Sequence, residues 1–185
     1  NVNIMPPNIN HSGMNFTVDN EKVLFGLSAI SGIGESLSKQ IIEERENNGI
    51  YKSFNDLTQR LSLDKASVIA LIKSGAIPCK NKREKLISYL KSEYQPLKFS
   101  EVKSLPTYKK LEEDWGIDLR KYVIPSSGSR VVYDKEALLS EYNRLKKIQF
   151  NENQKVRFQK YINENQKYLA DEQFWEFQTL QVFIN

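Results

Sequence analysis

Ser31, Gly32, Ile33 and Gly34 stand directly before Glu35, where an amphipathic helix is expected to begin. Residue types in this order can hold an anion. The first amides of a helix have no acceptor within it, and the helix dipole adds partial positive charge at that end. Glycine keeps Cβ atoms out of the path of an approaching phosphate and permits φ above zero. One phosphate oxygen can then take several N–H bonds without any cationic side chain. Ile33 reads as the apolar plug that folds the turn back onto its helices, and Lys39 as an added side-chain contact. Glu35 works in the opposite direction, because its carboxylate competes for the same positive end.

A second turn, "LIKSGAI" at Leu71 to Ile77, repeats the logic with Lys73, Ser74, Gly75 and Ala76, and Lys80, Lys82, Arg83 and Lys85 come after it against the single Glu84. Phosphates run along both strands of a duplex, so two such turns related by a pseudo-two-fold could grip both. A Gly-x-Gly turn also occurs in ordinary helical hairpins, and the turn alone does not separate the two readings. Between Arg144 and Lys167, seven Lys/Arg face two Glu with Tyr and Phe interleaved. Such a face could track a single strand by charge and stacking. The aromatics lie at helical spacing, however, which favours a core stripe with a solvated cationic face.

Other chemistries lack their residues. Cys79 is the one cysteine and His11 the one histidine, so thiolate metal sites and histidine catalysis drop out. Glu112, Glu113 and Asp114 are consecutive, and consecutive helical residues diverge by about 100° and cannot converge on one metal. A nucleophile with a paired base is missing, as is a phosphate loop with its lysine. The 185 residues, 39% hydrophobic and 27% charged, suit one ordinary domain or two small ones. A net charge of +4 mildly favours a polyanionic partner. No apolar run is long enough for a membrane span and no signal peptide is read at the start, so a cytoplasmic location without a membrane partner is expected. The chain begins at Asn1 rather than at methionine, which suggests a piece of something longer.

The elements that must position the two turns are mainly helical. "NFTV" and "VLFGL" read as two short strands joined by a tight turn at Asp19 and Asn20, and Gly26 as a point of close backbone approach. Ile30, Ile33, Leu37 and Ile41 keep a helical stripe across the Ser-Gly-Ile-Gly break, which implies a short helix, a hairpin and a second helix from about Glu35 to Asn48, ended by Gly49. Ser53 with Asp56, Asp64, and Asn81 with Glu84 are cap signals for three further helices, with Val68, Leu71, Ile72, Leu86, Ile87 and Leu90 inward. Pro96 marks a boundary, dividing a domain at residues 1–94 from a helical subdomain at 95–185. In the latter, a short helix ends at Gly116 and a hairpin has its loop at Pro125 to Ser129. Three helices come next: Lys135 to Gln149 with Leu138, Tyr142, Leu145 and Ile148 inward; Glu152 to Leu169 with Phe158 and Ile162 inward; and Asp171 to Ile184 with Phe174, Phe177 and Leu180 inward. The fold class is therefore mainly α: a tandem helix-hairpin-helix with a short N-terminal β-hairpin, then a small helical subdomain.

In order along the chain, "PPNINHS", "VLFGLSAISGIGE", "ENNGIYKSFNDLTQRL", "LIKSGAI" and "NKREKLI" resemble the tandem helix-hairpin-helix region that lies after the palm and fingers of bacterial DNA polymerase III alpha subunits. The likeness covers about residues 4 to 91 and is closer to the shorter, common type of alpha subunit. It implies a region that holds duplex DNA behind the active site by its minor-groove backbone, without sequence preference. By resemblance the first hairpin falls on Ser31, Gly32, Ile33 and Gly34, and the second on Lys73, Ser74, Gly75 and Ala76. Ser31 stands where many relatives carry Lys. The parent would be a DNA-directed DNA polymerase using magnesium on carboxylates upstream; no cofactor and no catalytic group is expected in this stretch. Other replisome subunits are further expected partners. The last segment, "FWEFQTLQVFIN", is similar to the family stretch that precedes an oligonucleotide-binding fold, whereas residues 95–170 do not align. The alternatives are a scaffold that joins polymerase domains or docks replisome subunits, and a fragment of a DNA repair enzyme. The latter needs a catalytic Lys or Asp in a base-sized pocket beyond the hairpin.

Overall fold

A computed structural model describes residues 3–19 and 22–181 of the chain. The first strands are short. β1 (Asn3–Met5), β2 (Thr17–Asp19) and β3 (Lys22–Leu24) form a sheet in the order β1-β3-β2, with β1 parallel to β3 (Ile4 beside Val23) and β2 antiparallel to it (Val18 opposite Val23). The sequence anticipated β2 and β3 but not β1, because three residues before Pro6 and Pro7 carry no readable alternation. Asn20, half of the expected tight turn, lies outside the described residues. Gly26 is the close approach that the sequence suggested. A Cβ there would stand 2.4 Å from the carbonyl carbon of Asn15, so no larger residue fits without moving backbone. That approach lets Leu27 and Ser28 donate their amides to the carbonyls of Gly13 and Met14 and fixes the chain's entry into the first hairpin.

The short helix expected before the hairpin is a single 3-10 turn, Leu27–Ala29. After the hairpin comes α1 (Glu35–Asn48), which stops where Gly49 takes φ 82°. α2 (Phe54–Arg60), α3 (Lys65–Lys73) and α4 (Lys82–Ser92) each start at the cap that the sequence signalled. The side chains of Ser53, Asp64 and Asn81 accept from the amides of Asp56, Ser67 and Glu84. Arg60 closes the far end of α1: its guanidinium donates to the carbonyls of Glu44 and Gly49 and pairs with the Glu44 carboxylate at 2.9 Å. A cation there suits the negative end of the helix dipole. Ile30, Ile33, Ile41, Leu57, Val68, Leu71, Ile72 and Leu86 are all fully buried in one core. Each contributes on the order of 1.5–3 kcal/mol by leaving water.

The chain divides into two compact units. One comprises Asn1–Glu93 with Asn165–Asn185, and the other Tyr94–Glu164. The sequence reading placed everything from residue 95 onward in a second domain, whereas the C-terminal segment packs with the first. The unit at Tyr94–Glu164 has its own core of Leu111, Ile117, Leu119, Leu138 and Tyr142. It holds α5 (Tyr108–Glu113), a turn at Gly116 with φ 63°, and a hairpin of β4 (Val123–Ile124) and β5 (Val132–Tyr133), all as anticipated.

Two helical expectations are corrected. Lys135 to Gln149 and Glu152 to Leu169 belong to one helix, α6 (Lys135–Asn165), and a 3-10 turn at Gln166–Tyr168 ends it. Nothing between Gln149 and Glu152 is a glycine or proline, and Asn151 only weakens a helix without ending it. Ile148, expected inward, is half exposed. The expected helix from Asp171 to Ile184 is a 3-10 turn, Glu172–Phe174, then α7 (Trp175–Leu180); residues 182–184 lie outside the description. Its phase also differs: Phe174 and Phe177 are exposed while Trp175, Thr179 and Leu180 are buried. The polar atoms of this buried face are satisfied locally, since the Trp175 indole donates to the carbonyl of Ala170 and the Thr179 hydroxyl to that of Trp175.

Candidate nucleic-acid interface

At the first hairpin the chain leaves its 3-10 turn and reverses through Gly32, which has φ 90°, before Gly34 caps α1. Ile33 is buried, as a plug must be, and its amide donates to the carbonyl of Ile30 at 2.9 Å. The amide of Ser31 is taken by the carbonyl of Thr179 at 2.7 Å. The next donors are open. Among the described residues, the amides of Gly32, Gly34, Glu35, Ser36 and Leu37 have no protein acceptor, and no side chain caps α1. Ser31, Gly32, Gly34, Glu35 and Ser36 are exposed. Lys39 is exposed on the same helix with its ammonium 3.6 Å from the Glu43 carboxylate.

The two glycines are glycines for different reasons. Gly32 needs the positive φ, whereas Gly34 has φ −75° and an added Cβ would meet nothing within 4 Å. Nothing among the described residues excludes a Cβ at position 34.

The second hairpin reverses in the same way at Gly75, φ 83°, and is closed on itself. Ser74, Gly75 and Ile77 donate to the carbonyls of Ala70, Ile72 and Leu71, and the amide of Ala76 reaches the Ser74 hydroxyl at 3.4 Å. Ser74 and Ala76 are fully buried. The next helix, α4, begins only at Lys82, and the Asn81 side chain occupies one of its first amides. The structure therefore places Lys73, Ser74, Gly75 and Ala76 together in a turn without an open amide row.

The cations of this second region are held by the C-terminal segment. Lys82 donates to the Glu176 carboxylate at 2.6 Å; Arg83 donates to the carbonyl of Leu169 at 2.8 Å and pairs with Glu172 at 3.3 Å. The Lys73 ammonium lies 5.0 Å over the Trp175 ring. Burial lowers its pKa, and the nearby Asp171 carboxylate partly offsets that. Lys80 alone of the expected set in this region is exposed without an ion pair among the described residues. Sequence reasoning missed Glu172, Trp175, Glu176 and Thr179 as neighbours of the hairpins. The spacing of Glu172 and Glu176 does not say what they will meet.

Among the described residues no group of three or more His, Cys, Asp or Glu could hold a metal ion. Nor is any helix among them long and apolar enough to cross a membrane.

Comparison with known proteins includes a match to this part of the chain. Residues 1–86 match the family model described as "Helix-hairpin-helix motif". The chain is similar to DNA polymerase III subunit alpha of Thermus aquaticus, 39% identical over 90 residues, which is 47% of this chain and 7% of the relative. It is also 42% identical over 92 residues to that of Deinococcus radiodurans, covering 48% and 7%, and 38% identical over 90 residues to that of Aquifex aeolicus, covering 46% and 8%. The matched stretch thus spans under a tenth of the length of these relatives. Residues 1–86 thus match a helix-hairpin-helix motif, and about half of the chain is similar to DNA polymerase III alpha subunits.

Proposed function

We propose that this region grips duplex DNA by its sugar–phosphate backbone, without reading sequence, in a replicative DNA polymerase whose parent chain carries out template-directed synthesis. The observation that carries the reading is the open row of amides at Gly32, Gly34, Glu35, Ser36 and Leu37, on an exposed turn at the positive end of a helix. Ser31 and Ile33 hold that row in place, through the carbonyl of Thr179 and the core respectively, and Lys39 adds a cation one turn further along. At the second hairpin the contribution comes from side chains, with Lys80 available and Lys73, Lys82 and Arg83 engaged by the protein. Glu35 keeps the grip weak and exchangeable, as a translocating duplex requires.

Gly34→Val tests this reading. A Cβ at this position meets nothing within 4 Å among the described residues, so the variant should keep its helical content, while the new methyl groups stand where a phosphate must approach. Duplex affinity measured by anisotropy should fall about tenfold or more, the worth of a charge-assisted hydrogen bond. For a grip on about three phosphates the log–log salt slope of the unmodified chain is about −2.7. The closed second hairpin supports a second reading, in which the pair of hairpins serves as a scaffold joining polymerase domains or docking replisome subunits. A flat salt response with no effect of Gly34→Val would favour it.

A further inference from the structure

We infer that Glu172 and Glu176 stand in for two backbone phosphates at the second hairpin, so that the C-terminal segment and a DNA duplex compete for Lys82 and Arg83. The inference rests on the proposed grip on duplex and adds to it an internal competitor.

Glu172 begins the 3-10 turn and Glu176 lies in the first turn of α7, and both side chains reach the start of α4. Each meets a different cation, Glu176 the Lys82 ammonium at 2.6 Å and Glu172 the Arg83 guanidinium at 3.3 Å. An anionic pair on an ammonium and a guanidinium is the chemistry that consecutive phosphates present. The site is open: a cleft of about 410 Å³ is lined by Lys80, Asn81, Lys82, Glu172, Gln173 and Glu176. The side chains of Arg83 and Glu172 are 42% and 46% exposed, and ion pairs this open are weak and easily exchanged. Trp175, between the two glutamates, is buried, so the segment keeps its anchor when the carboxylates let go. Three cations, Lys80, Lys82 and Arg83, face two carboxylates, which leaves the patch one positive charge in the closed arrangement and three once the glutamates are displaced.

The test compares salt dependence of duplex binding by the full chain in three forms: unmodified, Glu172→Gln with Glu176→Gln, and Glu112→Gln with Glu113→Gln. The last pair changes net charge equally on exposed residues of the other unit. If the inference holds, the first double variant binds more tightly and its log–log slope steepens by up to about 1.8, two phosphates' worth, and the control moves neither as far. Adding Lys82→Gln and Arg83→Gln to the first double variant then removes the gain. A gain no larger than the control's, or one that survives loss of both cations, overturns the competition while leaving the duplex grip standing if Gly34→Val still weakens binding. Failure of every form to bind duplex overturns both.

Discussion

Two turns of nearly the same sequence, Ser31-Gly32-Ile33 and Ser74-Gly75-Ala76, adopt the same reversal, with φ 90° and 83° at their glycines, and end in opposite states. The difference lies in how soon each turn meets a helix. Gly34 leads straight into α1, so the hairpin amides and the first helical amides form one row, broken only where the buried Ile33 turns its own amide inward. After Ala76 the chain runs through Ile77, Pro78, Cys79, Lys80 and Asn81 before α4 begins, which separates hairpin from helix start and brings in a capping side chain. Ser31 is exposed, while the Ser74 hydroxyl turns inward to bridge the carbonyl of Leu71 and the amide of Ala76. An anion site in such a turn needs the helix to start at the turn itself. A glycine at the corner is not enough.

The largest effect should come from the residue that closes the second region. Trp175→Ala removes a fully buried indole and should cost about 3–5 kcal/mol in a denaturant melt. A loss well below that range would mean that the C-terminal segment only rests on the second hairpin. Next, substitutions at the glycines should give crossed outcomes. Gly75→Val forces a left-handed backbone on a β-branched residue and should lose about 1–2 kcal/mol or more of stability with little change in duplex affinity. Gly34→Val should spare stability and lose affinity. Parallel outcomes at the two positions would erase the distinction between an open and a closed hairpin. A smaller shift is expected for Lys39→Gln, which should reduce the salt slope by about 0.9 if Lys39 meets one phosphate; an unchanged slope confines the grip to the backbone amides.

The smallest effect is in acid, and it should act through the carboxylates at the helix starts. The amide of Ser67 holds the Asp64 carboxyl below the usual carboxylate range at the start of α3, and the amide of Lys52 does the same for Asp56. A lowered folded-state pKa means that the stabilisation is complete above the unfolded value and disappears as pH falls through the folded one. Melting temperature should therefore drop on acidification below the ordinary carboxylate range, and Asp64→Asn, which caps without titrating, should flatten part of that drop. The start of α1 has no capping side chain. Equal flattening by a substitution at Ser36, which cannot titrate, would show that the acid response lies elsewhere.

Much of this arrangement was legible residue by residue. Ser53, Asp64 and Asn81 announced their helices because capping is a local bond within three residues. Gly49, Gly75 and Gly116 announced the stops because a left-handed backbone suits few other residues. Gly26 was readable as a close approach, though not which segment approached it. The break placed near Asn151 was misread, because two apolar stripes of different phase on one long helix look like two helices. The phase of the C-terminal helix also differs: Phe174 and Phe177 suggested a buried face, yet packing on the core of the first unit chose Trp175, Thr179 and Leu180.

The sequence by itself determined the local grammar: which residues start and stop each helix, where the chain must turn left-handed, and that amides would crowd at Gly32 and Gly34. These come from bonds and steric limits that act over a few positions. Tertiary structure alone decided that Thr179 would take the amide of Ser31, that Glu172 and Glu176 would meet Arg83 and Lys82, and hence that the C-terminal segment would engage the cations of the second hairpin. Contacts between residues more than eighty positions apart depend on how the helices pack around their common core, and no local pattern carries that information.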